Sequence, residues 1–269
     1  MFKFIIYEKK GYFAHITFNR PEVMNAINPP AQQELWDALF DFRKDPDLRV
    51  AILTGAGEKA FSAGDDLKYP RTKTKGSWEE SSFMSPQRPG STGHLPTGIW
   101  KPLIAAVNGY CLGGGLEMAL NCDIIIAADH ATFGLPEVTI GGLPPSGVFN
   151  LPRDIPLKVA MHMILTGERI SAQEAYRLGL VNKVVPLSEL IEAAIEEGEL
   201  ICRNPQPSVQ AIKECVMRGL ELPVNYPARA SDILFKPATM DSLRESGEEG
   251  RRAFAEKRPP NYDVKKNDQ

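Results

Sequence analysis

The stretch Lys101–Asp123, KPLIAAVNGYCLGGGLEMALNCD, decides the fold. It starts as an apolar run, Leu103 to Val107, which predicts a strand. Asn108-Gly109 turns the chain, and three glycines, Gly113, Gly114 and Gly115, lead into a helix that carries one acid, Glu117, in otherwise apolar surroundings. Glycine has no Cβ, so the backbone can approach a ligand closely there. The first turn of a helix adds N–H groups without intrahelical acceptors and a partial positive charge. Gly114 and Glu117 are three apart and share a helix face. One segment can therefore bring an oxyanion donor and a carboxylate to the same small volume.

Working outward, Phe2–Tyr7 and Tyr12–Phe18 read as two strands joined through Glu8-Lys9-Lys10-Gly11. Asn28, with Pro29 and Pro30 behind it, caps a helix whose buried stripe is Leu35, Leu39 and Phe42; Asp45-Pro46 stops it. Val50–Leu53 is a short buried strand. Lys68 to Gly98 is rich in Lys, Ser, Pro and Gly, and a loop of that length inside a domain belongs to function or disorder. Ile124–Ala128 is another buried strand, so strand–turn–helix units follow one another. Gly141-Gly142-Leu143-Pro144-Pro145 is a rigid turn. Leu157–Leu165 is an amphipathic helix, and Ser171 with Glu174 resembles a capping box for a helix that Gly179 closes. After the strand Val181–Val185 the pattern is helical: Ser188 to about Cys202, Val209–Gly219, and two further pieces ending near Arg258. The division expected is residues 1–200 as a mixed α/β core and 201–269 as a helical C-terminal region.

Composition sets broad limits. A chain of 269 residues, 43% hydrophobic and 24% charged, can bury a full core. A net charge of −3 and a pI near 5.9 give no sign of a nucleic-acid or membrane surface. The apolar start is too short for a secretory signal, and no run approaches a membrane span. Cys111, Cys122, Cys202 and Cys215 lack metal-ligand spacing and read as buried thiols of a cytoplasmic protein. No metal site is expected.

NGYCLGGGLEMALNCD, together with AFSAGDDL upstream, FGLPEV downstream and AFAEKR near the end, resembles the enoyl-CoA hydratase/isomerase (crotonase) superfamily, in that family's order. The resemblance spans nearly the whole chain. It implies an α/β fold, a crotonase-type spiral of ββα repeats with a C-terminal helical trimerisation region, and an assembly that is a homotrimer or a dimer of trimers. It also implies no separate cofactor, since coenzyme A enters as part of an acyl-CoA thioester substrate.

The resemblance assigns the site residue by residue. Glu117 matches the first catalytic glutamate. Glu137, in FGLPEV and twenty positions later, matches the second glutamate of the water-adding members. Taken alone, Glu117 could be a structural acid and Glu137 a surface loop acid. Two carboxyl groups suit addition of water across a C=C bond conjugated to a thioester, whereas one suffices for double-bond isomerisation; which is acid and which base stays open. Gly114 and Asp65 match the two backbone N–H donors of an oxyanion hole, each donor contributing roughly 3 kcal/mol. Asp65 is a departure, because many members of that family carry a small or apolar residue there. Glu22 and Val23 match the nucleotide end of the coenzyme site; Ala63, Asp66 and Leu67 match the residues around adenine and pantetheine. Gly113 precedes the oxyanion glycine. Phe254 and Lys257 match residues near the acyl chain and a neighbour's phosphate.

A second departure, Pro144-Pro145-Ser146-Gly147-Val148-Phe149, replaces a more glycine-rich stretch and directs attention to a branched, cyclic or charged acyl group. The expected activity is reversible hydration of a 2-enoyl-CoA, as in β-oxidation of fatty acids. A carnitinyl-CoA dehydratase-like or isomerase activity is the alternative, and an RNA-binding role a remote one against the acidic pI. Neither a G-x-S-x-G nor a G-K-[ST] motif is present. The four histidines form no ligand spacing; His94, in the long loop, is the one to watch.

Overall fold

The computed structural model describes residues 2–69, 95–220 and 237–262. Among the described residues ten strands form two sheets: β1 (Ile5–Lys10), β2 (Phe13–Phe18), β3 (Val50–Gly55), β5 (Leu103–Val107), β7 (Ile124–Ala128) and β10 (Lys183–Val185) make the larger, in that spatial order. β4 (Ala60–Ser62), β6 (Tyr110–Leu112), β8 (Thr132–Gly134) and β9 (Ile170–Ser171) make the smaller. Three successive pairs, β3–β4, β5–β6 and β7–β8, each give one strand to each sheet, and neighbouring turns of the spiral pair in parallel. The repeat that identical residues do not reveal is thus present in the topology.

The turns holding the spiral are specified by few residues. Asn108 is buried, accepts the Gly55 N–H and donates through Nδ2 to the carbonyls of Gly55 and Gly57, locking one turn to the next. A Cβ on Gly109 would stand 2.2 Å from the Lys59 carbonyl oxygen, so only glycine fits. In β3 the side chains alternate: Ala51 and Leu53 join the core with α1 (Pro29–Lys44), while Val50 and Ile52 join a second core with α6 (Leu190–Cys202). The Asn28 side chain accepts the Ala31 N–H at the start of α1, and Leu35, Leu39 and Phe42 are fully buried, as the pattern requires.

The hairpin differs from expectation. β1 continues through Lys10, which pairs with Phe13, so the turn is Gly11-Tyr12 and Gly11 takes φ +57°. Charged Glu8, Lys9 and Lys10 suggested a loop, but β1 is an edge strand with a solvated outer face and accommodates them. α2 (Gly114–Leu120), α4 (Leu157–Thr166) and α5 (Ala172–Leu178) lie where expected. α3 (Gly147–Asp154) was not foreseen, because it opens on glycine and contains Pro152. α6 continues to Cys202, across the expected division at residue 200. α7 (Gln206–Gly219) is tied back to the core by Lys213, which donates to the Lys101 carbonyl and pairs with Asp123 at 2.6 Å. α8 (Pro237–Ala255) packs on α7 as a single helix, and the segment before it lies outside the described residues. So do His94 and most of the long polar loop. No helix among the described residues is long and apolar enough to cross a membrane.

Candidate active site

Glu117 sits in the first turn of α2 and is 1% exposed. Its Oε1 accepts two backbone N–H groups, from Ser146 and Gly147, each at 2.7 Å. These amides belong to the turn that opens α3. The turn returns to α2 because Gly142 N–H closes on the Glu137 carbonyl at 2.8 Å and sends the chain back. A buried carboxylate normally needs charge or dipoles around it; here the backbone supplies them.

Glu137 lies on the 3₁₀ turn Pro136–Ile140 and is half-buried. Gly113 has φ +54°, and a Cβ there would stand 2.9 Å from Glu137 Oε1. The Glu117 N–H donates to the Gly113 carbonyl at 3.0 Å. The Glu137 carboxyl therefore lies against Gly113, whose carbonyl accepts the backbone N–H of Glu117. Burial pushes the Glu137 carboxyl up to about 7; its own backbone N–H opposes the rise, and the nearby Glu117 charge adds to it. Glu137 Oε2 is buried with no hydrogen-bond partner among the described residues. Native structures leave few such atoms, and they concentrate where chemistry is done.

The backbone segments that carry the two expected oxyanion donors run against each other. Gly114 is the first residue of α2, so its N–H has no intrahelical acceptor. Gly64 has φ +86°, and a Cβ on it would lie 2.8 Å from the Gly114 nitrogen. The segment carrying Asp65 thus runs against the start of α2. Ile27 forms a bridge with Asp65, donating to the Gly64 carbonyl and accepting from the Asp66 N–H. In that pattern the Asp65 N–H points away from Ile27. Gly115 lets α2 seat directly on β4: a Cβ there would be 2.3 Å from the Ser62 carbonyl.

Of the residues expected on the coenzyme side, Gly113 lies in this cluster, and a Cβ on it would stand 3.9 Å from the Ala63 carbonyl oxygen. Glu22 is exposed and Val23 half-buried, on the 3₁₀ turn Pro21–Val23. Ala63 is half-buried, its N–H bound to the Met24 carbonyl. The Asp66 carboxylate is engaged inside the chain, pairing with Arg20 at 2.8 Å and accepting the Lys68 N–H. Leu67 is 67% exposed. Phe254 is 88% exposed at the end of α8, and Lys257 follows with φ +51°. Ser146 and Gly147 were not foreseen as partners of Glu117. The signal was a Pro-Pro turn running into glycine at a helix start, which marks amides that proline cannot supply itself.

Two carboxyl groups with unequal surroundings, one tied to amides and one shielded from water, can divide proton transfers between them. That division defines an acid–base enzyme. A family model described as Enoyl-CoA hydratase/isomerase matches residues 8–265, and the chain belongs to that family. It is 42% identical over 258 residues to (E)-benzylidenesuccinyl-CoA hydratase of Thauera aromatica, covering 95% of this chain and 97% of that one. It is 41% identical over 256 residues to carnitinyl-CoA dehydratase of Salmonella enteritidis, covering 94% and 95%. Among solved structures, enoyl-CoA hydratase EchA1 from Mycobacterium marinum superposes with a TM-score of 0.83 at 36% identity, covering 96% of this chain and 98% of that one. An enoyl-CoA hydratase/isomerase from Mycobacterium paratuberculosis superposes with a TM-score of 0.85 at 32% identity, covering 98% and 100%.

Proposed function

We propose that this enzyme reversibly adds water to a 2-enoyl-CoA, giving a 3-hydroxyacyl-CoA, with Glu117 as base and Glu137 as acid. The carrying observation is the unequal surroundings of the two glutamates, Glu117 on a pair of backbone amides and Glu137 desolvated against Gly113. With its carboxyl held up near 7, Glu137 retains a proton in a substantial fraction of molecules at neutral pH. Glu117 is anchored through one oxygen, which leaves the other to take a proton from water.

In this scheme the thioester oxygen rests between the N–H groups of Gly114 and Asp65. Water oxygen bonds to the β-carbon as Glu117 removes its proton. The electron pair of the C=C bond moves to the α-carbon through a thioester enolate. Glu137 then delivers its proton to that carbon. The two amides lower the barrier because the enolate oxygen carries more charge than the ground-state carbonyl. The chemistry needs no group beyond this chain and the coenzyme A of the substrate.

An acyl group other than a straight chain is favoured. The benzylidenesuccinyl-CoA and carnitinyl-CoA relatives both act on substituted acyl groups, and the stretch after Glu137 departs in the same direction. Glu22, Val23, Ala63, Asp66, Leu67 and Gly113 are assigned to the coenzyme side, Asp66 through its backbone. Phe254 and Lys257 lie outside the glutamate cluster, which supports a homotrimer or dimer of trimers in which a neighbour receives them. Residues 1–200 then carry the site and 201–269 the assembly. Four free cysteines support a cytoplasmic location.

The test is a panel of crotonyl-, tiglyl-, cinnamoyl- and crotonobetainyl-CoA, followed by loss of enoyl-thioester absorbance. Glu117→Gln and Glu137→Gln should each lower turnover by at least ~10²-fold. Full hydration by the Glu137 variant would take the acid role from Glu137; migration of the double bond of a 3-enoyl-CoA without hydration of any 2-enoyl-CoA would move the reading to isomerisation, for which one carboxyl group suffices.

A further inference from the structure

Ser62 ends β4 and is fully buried, so it touches no substrate. Its hydroxyl is bonded in both directions. It donates to the Asn25 carbonyl at 2.9 Å and accepts the Gly64 N–H at 3.1 Å. A hydroxyl that donates to one fixed backbone group and accepts from another is held in one orientation. Its far anchor is rigid as well. Asn25 holds φ +53° beside Met24 at φ +55°, a region that residues with side chains enter only where their surroundings hold them. The Asn25 side chain does the holding. It accepts the Arg20 N–H at 3.0 Å and donates to the carbonyls of Ala56 at 3.0 Å and Ala60 at 2.7 Å.

The near end is the segment that runs against α2. Gly64, at φ +86°, has no side chain to restrict its conformation, so its neighbours must. The Ala63 N–H goes to the Met24 carbonyl at 2.9 Å, and the Gly64 carbonyl accepts the Ile27 N–H at 2.7 Å. The Gly64 N–H goes to a side chain, that of Ser62. The peptide after Gly64 is planar. Fixing its carbonyl on Ile27 and the preceding amide on Ser62 therefore sets the direction of the Asp65 N–H. Ser62 also bears on the helix of the other donor, since a Cβ on Gly115 would stand 3.0 Å from Ser62 Cβ.

We infer that Ser62 is a positioning residue of the oxyanion hole: its hydroxyl ties the Gly64 amide to the Asn25 carbonyl and so fixes the aim of the Asp65 N–H at the thioester oxygen. This rests on the hydratase reading above, with Asp65 as one donor. The effect falls on the transition state, where the oxygen carries most charge, and not on coenzyme binding.

The experiment reads kcat and KM separately, on the best substrate of the panel. Ser62→Ala removes the hydroxyl and leaves the backbone bonds of Ala63 and Ile27 in place. Loss of a whole donor costs about 10²–10³ in kcat; a donor left present but loosened should cost at least about tenfold, with KM within about twofold of wild type. Ser62→Cys is close in size and its thiol is a weak donor and acceptor, so its kcat should fall between the two. It carries the test if the alanine variant does not fold. Ser171→Ala is the control. It removes a hydroxyl that caps α5 by accepting the Glu174 N–H, and it should lower the melting temperature with kcat unchanged. Wild-type kcat in the folded Ser62 variant overturns the inference, whatever its melting temperature, because the hydroxyl then serves stability alone. A raised KM with kcat preserved also overturns it, by moving the effect to coenzyme binding. Wild-type enzyme that hydrates none of the panel overturns the hydratase reading itself, and this inference with it.

Discussion

Glu117 Oε1 accepts the backbone N–H of Gly147 at 2.7 Å, across thirty positions of sequence. The carboxylate is thus placed by a main-chain turn, and that turn depends on a missing side chain. A Cβ on Gly147 would lie 2.8 Å from Leu135 Cδ1 and 3.1 Å from Pro144 Cβ. Leu135 is fully buried and has little room to yield. Gly147→Ala should cost stability by about 1–3 kcal/mol through overpacking. It should lower kcat at least tenfold with KM little changed, because the amide pair moves while the coenzyme side does not. Thermal melting and steady-state kinetics on one preparation check this.

The elevated Glu137 carboxyl sets the pH dependence. Hydration requires it protonated, so kcat/KM for hydration should fall as pH rises through about 7. Dehydration of the 3-hydroxyacyl-CoA requires it ionised, so that direction should fall as pH drops through the same region. Folding follows the same sign. The folded value stands above the ordinary glutamate value of 4.5, so the folded state holds the proton more tightly. This group's contribution to stability is fully present below about 4.5 and is lost as pH climbs to about 7. Glu137→Gln should flatten that part of the curve in urea melts collected across pH.

The parts legible in sequence are those where side chains do the work. β3, β5 and β7 are apolar runs, and α1 shows its cap and stripe. Glu117 stands out as a lone acid between Leu116 and Met118. What escaped is backbone work. The amides of Ser146 and Gly147 carry no side-chain pattern, and the spiral is fixed by turns rather than repeated residues. The partner of the Asp66 carboxylate was also not legible. The resemblance puts Asp66 on the coenzyme side, and its carboxylate pairs with an arginine forty-six positions earlier, which no local pattern announces.

That pair is testable by itself. Arg20 and Asp66 side chains are only 15% and 11% exposed, and Arg20 also donates to the Ala26 carbonyl at 2.6 Å. Asp66→Asn leaves a largely buried guanidinium without its countercharge, a change that costs up to about 3–5 kcal/mol when burial is complete and less here. A melting temperature lowered by several degrees, with kcat in the folded protein near wild type, is the expected outcome. A raised KM without loss of stability would instead put the carboxylate on the coenzyme.

Gly64 and Gly11 separate backbone strain from site geometry. Both have positive φ, +86° and +57°, so alanine is strained at either position. Around Gly11 nothing lies within 4 Å of a built Cβ. At Gly64 that Cβ would stand 2.8 Å from both the Gly114 nitrogen and the Leu112 carbonyl oxygen, and neither backbone atom can swing aside. Gly11→Ala should therefore cost about 1 kcal/mol of stability and leave turnover intact. Gly64→Ala must push Asp65 and Gly114 apart. Misplacing one oxyanion donor costs about 10²–10³ in kcat, so turnover should fall by at least that scale even where the melting curve shows a folded protein. Equal kinetic effects from the two substitutions would mean that the 64–65 segment does not hold the thioester oxygen.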